Sequence, residues 1–291
     1  MQNNIENILK CNPLIPVVTI ENLDHIENIY NKLVSRNVKC IEITLRTEVA
    51  WNAISIFKAK YGSKLKIGVG TVISVEDILK CEKIGADFIV VHAPILNFVS
   101  DRNEVLKNYY NELSSKLNIG IAMWSHPDSG YLMEPELCND IANLDNIVAI
   151  KYSVPRDMYS KLTKLAKDRI IISTASEHDW YQNILELDWK LYLCSSPPYL
   201  IQTKNDKRMK KYTDLALNKN YKDAKIIRDS LDPVRKAFQS TKPLGKPHAH
   251  QKYWQELLGQ IGGRVRFPNL ELTKEEKKNI KIAFDECGLI K

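Results

Sequence analysis

Lys151 follows an unbroken apolar run, Ile147-Val148-Ala149-Ile150. Such a run reads as a strand buried on both faces, where the alternation of apolar and polar residues is lost. A lysine at its end loses solvation for its charge, and an uncharged amine is the nucleophile that condenses with a ketone to form a Schiff base. Lysines in this position also have two ordinary uses, reaching solvent past the strand end or pairing with a carboxylate.

A second group lies upstream. In Ile41-Glu42-Ile43-Thr44-Leu45-Arg46 the apolar and polar residues alternate, so Glu42, Thr44 and Arg46 share one face of a strand and the aliphatic residues the other. The apolar set is expected to pack under helices, which turns the polar set inward. Glu42 and Arg46 then form either a structural ion pair or a base with an anion clamp, since the guanidinium fork suits a carboxylate. Gly68-Val69-Gly70-Thr71 offers close approach at its glycines and a hydroxyl at Thr71 for a substrate anion. By the same alternation Ile147, Ala149 and Lys151 share a face, as do Gly120, Ala122 and Trp124. Trp124 reads equally as a roof over a site or as core packing.

These residues need a scaffold that brings strand ends together. Residues 1 to about 200 repeat a short apolar strand, a turn and a helix. The expected strands are Ile15–Ile20, Val38–Leu45, Leu65–Val72, Phe88–His92, Ile119–Ser125, Ile147–Ser153, Arg169–Thr174 and Lys190–Ser195. Helical spacing lies between them, as in Ile26, Ile29, Leu33 and Val34, and Ser74 is the strongest of the cap candidates. The pattern predicts a (β/α)8 TIM barrel over residues 1–217, with chemistry at the carboxyl ends of the strands. Residues 218–291 read as a C-terminal helical extension, with helices at Tyr221–Phe238, His250–Leu258 and Lys274–Cys287, while Arg208–Leu217 completes the barrel.

Composition narrows the function further. The net charge of +7 is spread out, and the basic runs at Lys204–Lys211 and Lys274–Lys281 lack interleaved aromatics, so nucleic acid is not an expected partner. The six cysteines make no CxxC or Cys/His cluster. His248 and His250 have metal-like spacing but no third ligand, so neither metal nor cofactor is expected. No apolar run approaches a membrane span, and the start carries no basic-then-apolar leader pattern, which points to the cytoplasm.

Two family resemblances appear. Ile15-Pro16-Val17-Val18, Ile41-Glu42-Ile43-Thr44-Leu45-Arg46-Thr47-Glu48, Gly68-Val69-Gly70-Thr71-Val72 and Gly85-Ala86-Asp87-Phe88-Ile89-Val90 resemble the 2-keto-3-deoxy-6-phosphogluconate (KDPG) aldolases over residues 14–97. Asn146 to Lys151, the run Ala224 to Phe238, Gly263-Arg264-Val265-Arg266-Phe267-Pro268 and Cys287-Gly288-Leu289-Ile290 resemble the dihydrodipicolinate synthase / N-acetylneuraminate lyase family, whose length and helical extension also match. Both are families of (β/α)8 class I aldolases with a Schiff-base lysine on the sixth strand, and both point to Lys151.

The KDPG-aldolase resemblance implies Glu42 as general acid/base, with Arg46 and Thr71 on the substrate carboxylate. Thr44 and Trp124 complete the expected substrate contacts. From the lyase family only Lys151 carries over: its threonine pair falls on Leu45 and Arg46, its fifth-strand tyrosine on Trp124, and a synthase's arginine near Ser129. Tyr152 and Tyr192 are fallback proton carriers. His126, Pro127 and Ser195-Ser196-Pro197-Pro198 are candidate pocket walls, and no glycine-rich phosphate loop is present among Ser173, Thr174, Ser176, Ser195 and Ser196. The implied function is a lyase that cleaves or makes a carbon–carbon bond between pyruvate, or a related 2-oxo acid, and an aldehyde. Two alternatives use the same barrel: a 2-keto-3-deoxy acid dehydratase or hydratase-aldolase with the same Schiff base, and a non-catalytic barrel binding a 2-oxo acid. The resemblance implies a homotetramer or dimer.

Overall fold

The computed structural model describes residues 15–174, 176–191, 203–242 and 247–290. They fall into two compact units, one of residues 1–175 with 189–194 and one of residues 176–188 with 195–291.

The first unit is built on a parallel sheet of seven strands in sequential order. They are β1 (Val17–Val18), β2 (Cys40–Thr44), β3 (Lys66–Val72), β4 (Phe88–His92), β5 (Gly120–Ser125), β6 (Ile147–Tyr152) and β7 (Ile171–Ser173). The connecting helices are α1 (Ile26–Val34), α2 (Ala50–Tyr61), α3 (Val75–Lys83), α4 (Arg102–Lys116), α5 (Pro135–Ile141) and α6 (Arg156–Ala166). This is the expected strand–helix repeat. The Ser74 side chain caps α3 by accepting from the Asp77 N–H at 3.1 Å, which satisfies one of the donors a helix start leaves open. Asp87 ties α2 to the sheet, accepting from Lys58, Lys66 and the Ile67 N–H. The expected eighth strand, Lys190–Ser195, has no strand at Lys190 and Leu191, and its remainder lies outside the described residues. Leu191 is buried in a cluster with Ile15 and Cys40.

Registers sort the sheet into two faces. One carries Ile43, Val69, Ile89, Ile121 and Ile147 side by side, none more than 3% exposed. Each such side chain contributes roughly 1.5–3 kcal/mol by leaving water. The opposite face holds Glu42, Gly68, Ala122, Trp124 and Lys151. Two irregularities break the simple alternation. The register between β3 and β4 shifts between Val69 and Val72, and that between β5 and β6 shifts between Ile121 and Ala122. The second shift pairs Ile147 with Ile121. Ile147 therefore leaves the face of Ala149 and Lys151, contrary to the period-2 expectation, because a bulge inserts one unpaired residue.

The second unit is helical in its described residues: α7 (Glu177–Leu187), α8 (Arg208–Leu217), α9 (Tyr221–Asp229), α10 (Asp232–Gln239), α11 (Pro247–Leu257) and α12 (Lys274–Cys287). The single helix expected over Tyr221–Phe238 is two. Pro233 sits in the first turn of α10, where its missing N–H is harmless, whereas inside a continuous helix it would break the ladder. A capping box joins Thr273 and Glu276 at the start of α12, and Gly288 ends it in a left-handed conformation. Glu177 and Arg235 form the buried centre of this unit, with a two-pronged ion pair at 2.9 and 2.7 Å that Tyr212 joins as a donor to Glu177.

Candidate active site

Lys151 lies near the carboxyl end of β6, paired with Trp124 on one side and Ser173 on the other. His92 on β4 pairs in turn with Trp124. One register row therefore runs His92, Trp124, Lys151, Ser173 across neighbouring strands, whose spacing is about 4.8 Å. Lys151 is half-buried and forms no hydrogen bond or ion pair with a described residue.

Glu42 reaches the same region from β2. It is 7% exposed, and its carboxyl crosses the backbone of Gly70, where an added Cβ would stand 1.9 Å from Oε1. Only glycine leaves that passage open. Burial pushes the Glu42 carboxyl above the ordinary range, while the positive charges of Lys151 and Arg46 pull it back. Burial wins that contest, and the two opposing cations place Glu42, Lys151 and Arg46 within one electrostatic neighbourhood. No ion pair closes between Glu42 and Arg46, so the structural-pair reading of these residues gives way. Arg46 instead donates through Nε to Thr71 Oγ1 at 3.0 Å.

Thr71 occupies the β3 irregularity with φ of 60°. A β-branched residue in the left-handed region is strained, and bulges commonly re-aim a side chain beside a site. Thr44 is fully buried, with its hydroxyl 2.9 Å from that of Thr19. Tyr152 faces away from Lys151: it donates to the Met133 carbonyl, is fully buried, and burial raises its hydroxyl well above the ordinary range. Its role as fallback proton carrier is therefore not supported by this placement. Tyr192, Ser195 and Ser196 lie outside the described residues.

His92 is a neighbour of this row of residues that sequence reasoning did not single out. Its ring stacks on Trp124 at 4.1 Å, and His126 stacks on the same indole at 5.1 Å. The signal was present, since Phe88-Ile89-Val90-Val91-His92 ends an apolar run in a titratable group just as the Lys151 stretch does. Burial, then Arg46, Lys151 and His126, lower the His92 imidazole to about 4, so it is neutral at pH 7. His126, a candidate pocket wall, is one-third exposed and caps the turn after β5 by accepting from the Asp128 N–H. No group of three metal-ligating side chains occurs among the described residues, and none of their helices is long and apolar enough to cross a membrane.

Comparison with known proteins bears on this arrangement. Residues 5–121 match the family model for KDPG and KHG aldolase. The KHG/KDPG aldolase of Escherichia coli K12 is 33% identical over 89 residues, which are 31% of this chain and 41% of that enzyme. The 4-hydroxy-tetrahydrodipicolinate synthase of Methanocaldococcus jannaschii is 24% identical over 212 residues, 72% of this chain and 68% of that one. The dihydrodipicolinate synthase structure from Thermotoga maritima superposes with a TM-score of 0.72 at 18% identity, covering 96% of this chain and all of that one. The chain is similar to two aldolase-related families at once. The KDPG/KHG aldolase match covers β1 to β4 and the first two residues of β5, and with them Glu42, Arg46 and Thr71; the chain spans about two fifths of the length of those curated relatives. The synthase likeness runs through nearly the whole chain and gives its fold, an α/β architecture shared with TIM barrels.

Proposed function

We propose that this chain is a class I aldolase, a lyase that joins or separates pyruvate, or a related 2-oxo acid, and an aldehyde through a Schiff base on Lys151. The observation that carries the reading is the convergence on Glu42 of two cations, Lys151 from β6 and Arg46 from the loop just past β2, at the carboxyl end of one sheet. The match to aldolases over the segment that holds Glu42 and Arg46 supports it.

In this mechanism Arg46, held by Thr71, binds the carboxylate and fixes the ketone against Lys151. The uncharged amine attacks C2, water leaves, and a cationic iminium forms. Glu42 in its carboxylate form takes the proton of the C4 hydroxyl. The C3–C4 bond breaks, its electron pair moves into the enamine, and the aldehyde departs. Protonation at C3 and hydrolysis release pyruvate and restore Lys151. Glu42's raised affinity for protons suits a group that must alternate between acid and base. Thr44, already bonded to Thr19, braces the floor of the site, and Trp124 walls it. The remaining elements of the proposal are a barrel over residues 1–217, a helical extension of residues 218–291, and a homo-oligomeric cytoplasmic enzyme.

Incubation with pyruvate and sodium borohydride tests the reading. A reduced pyruvyl adduct on Lys151, located by peptide mass mapping, is expected. A folded protein that gives no adduct, beside an aldolase control that does, would overturn it. Dehydration on the same Schiff base is the second reading, favoured by the Trp124 stack, which suits a planar conjugated product. It predicts loss of water from a 2-keto-3-deoxy acid with no pyruvate released.

A further inference from the structure

Schiff-base cleavage moves two protons on the substrate, one off the oxygen of the C4 hydroxyl and one onto C3 of the enamine. Glu42 accounts for the first. Among the described residues the polar face near Lys151 offers few groups for the second. The Trp124 indole is a donor only and does not exchange its proton near neutrality. Tyr152 is on the opposite face, committed to the Met133 carbonyl. His126 uses Nδ1 to accept from the Asp128 N–H.

We propose that His92 is the acid–base group at C3 of the Schiff-base intermediate. This rests on the aldolase reading and deepens it. His92 lies on the register row of Lys151, two strands away with only Trp124 between. The indole stack at 4.1 Å fixes its ring plane, and no described residue hydrogen-bonds to either of its nitrogens. The charged and titratable groups acting on it are Arg46 from the end of β2, Lys151 from β6 and His126 beyond β5. Burial, and after it these charges, keep the imidazole neutral at rest, so a ring nitrogen is open to the proton released as the C3–H bond breaks.

The step balances without a further reagent. In the pyruvyl iminium the C3–H bond breaks, its electron pair forms the C2=C3 double bond, and the C=N pair withdraws to nitrogen. The proton passes to the His92 imidazole. Protonation of the enamine after aldol cleavage is the reverse, with the imidazolium having equilibrated with solvent.

Deuterium exchange into the pyruvate methyl group, followed by NMR in heavy water, isolates this step because it needs no aldehyde. His92→Asn and His92→Gln are expected to keep the borohydride-trapped adduct on Lys151 yet exchange the methyl protons about 10²-fold or more slowly, with the acidic limb of the pH–rate profile lost. Either variant exchanging at the wild-type rate with the wild-type profile would overturn the proposal. Variants that fold but no longer trap pyruvate would also count against it, since they would place His92 in forming the Schiff base. Failure of the wild-type protein itself to trap pyruvate would instead strike the aldolase reading.

Discussion

Arg46 meets Thr71 at 3.0 Å, and Thr71 adopts a left-handed backbone to receive it. A hydroxyl on a strained, bulged residue is thereby committed to aiming a guanidinium that is otherwise exposed. Thr71→Ala should free Arg46 and weaken 2-oxo acid binding about tenfold, the scale of one hydrogen bond to a charged group, with Thr71→Ser near wild type. The measurement is the pyruvate concentration giving half-maximal borohydride trapping. Equal values for Thr71→Ala and wild type would remove Thr71 from binding.

Gly70 is a test of Glu42 by displacement. A methyl group at residue 70 would fall 1.9 Å from Oε1, and the buried carboxyl must swing away. Gly70→Ala is expected to keep the Lys151 adduct and to lose about 10²-fold in aldol turnover across an aldehyde panel. Unchanged turnover would show that the position of the Glu42 carboxyl does not matter.

The second unit depends on the Glu177–Arg235 pair. Both side chains are almost fully buried, so removing one leaves the other as an unpaired interior charge. Arg235→Ala should destabilise this unit by about 3–5 kcal/mol, read from urea unfolding. A loss under 1 kcal/mol would mean that water reaches Glu177 readily.

His250 gives that unit an acid weakness. It is fully buried against Phe238 and Trp254, with both ring nitrogens unpartnered. Burial lowers the imidazole to about 3, below its value of about 6.5 in an unfolded chain. The neutral ring favours the folded state above pH 6.5, and that contribution is lost as pH falls from about 6.5 towards 3. His250→Phe should lose less stability than wild type between pH 7 and pH 4.5, by on the order of 2 kcal/mol. Parallel unfolding curves at the two pH values would refute this.

Much of this was legible in the sequence where local pattern decides the outcome. Phe88–His92, Arg208–Leu217 and Lys274–Cys287 have the bounds their periodicity and caps predict. Lys151, Glu42 and Arg46 were findable because a charge inside or ending an apolar strand violates the burial rule. The failures came from features that periodicity does not encode. The bulge at Thr71 and the register shift on β6 reassign faces, although alternation in the sequence looks unbroken. Pro233 divided a helix whose apolar spacing continues across it. His92 was overlooked because its partners come from β2, β5 and β6, and only their registers bring those charges to it.

Lys151 has unlike neighbours, the Trp124 ring stack on β5 and the small Ser173 on β7. Under the proposed mechanism an enamine carried on that lysine is flat, and its two sides meet these different surroundings. The consequence is stereochemical: the enamine carbon that reacts stays a CH2 group, and the new stereocentre is the former aldehyde carbon, so unlike flanks that turn one face of the aldehyde towards the enamine give one configuration. Chiral chromatography of any aldol product the protein makes should give a single enantiomer, and a racemate would mean that the flanking strands leave both approaches open. Product handedness under that mechanism is in this sense a reading of how the two neighbouring strands orient the aldehyde.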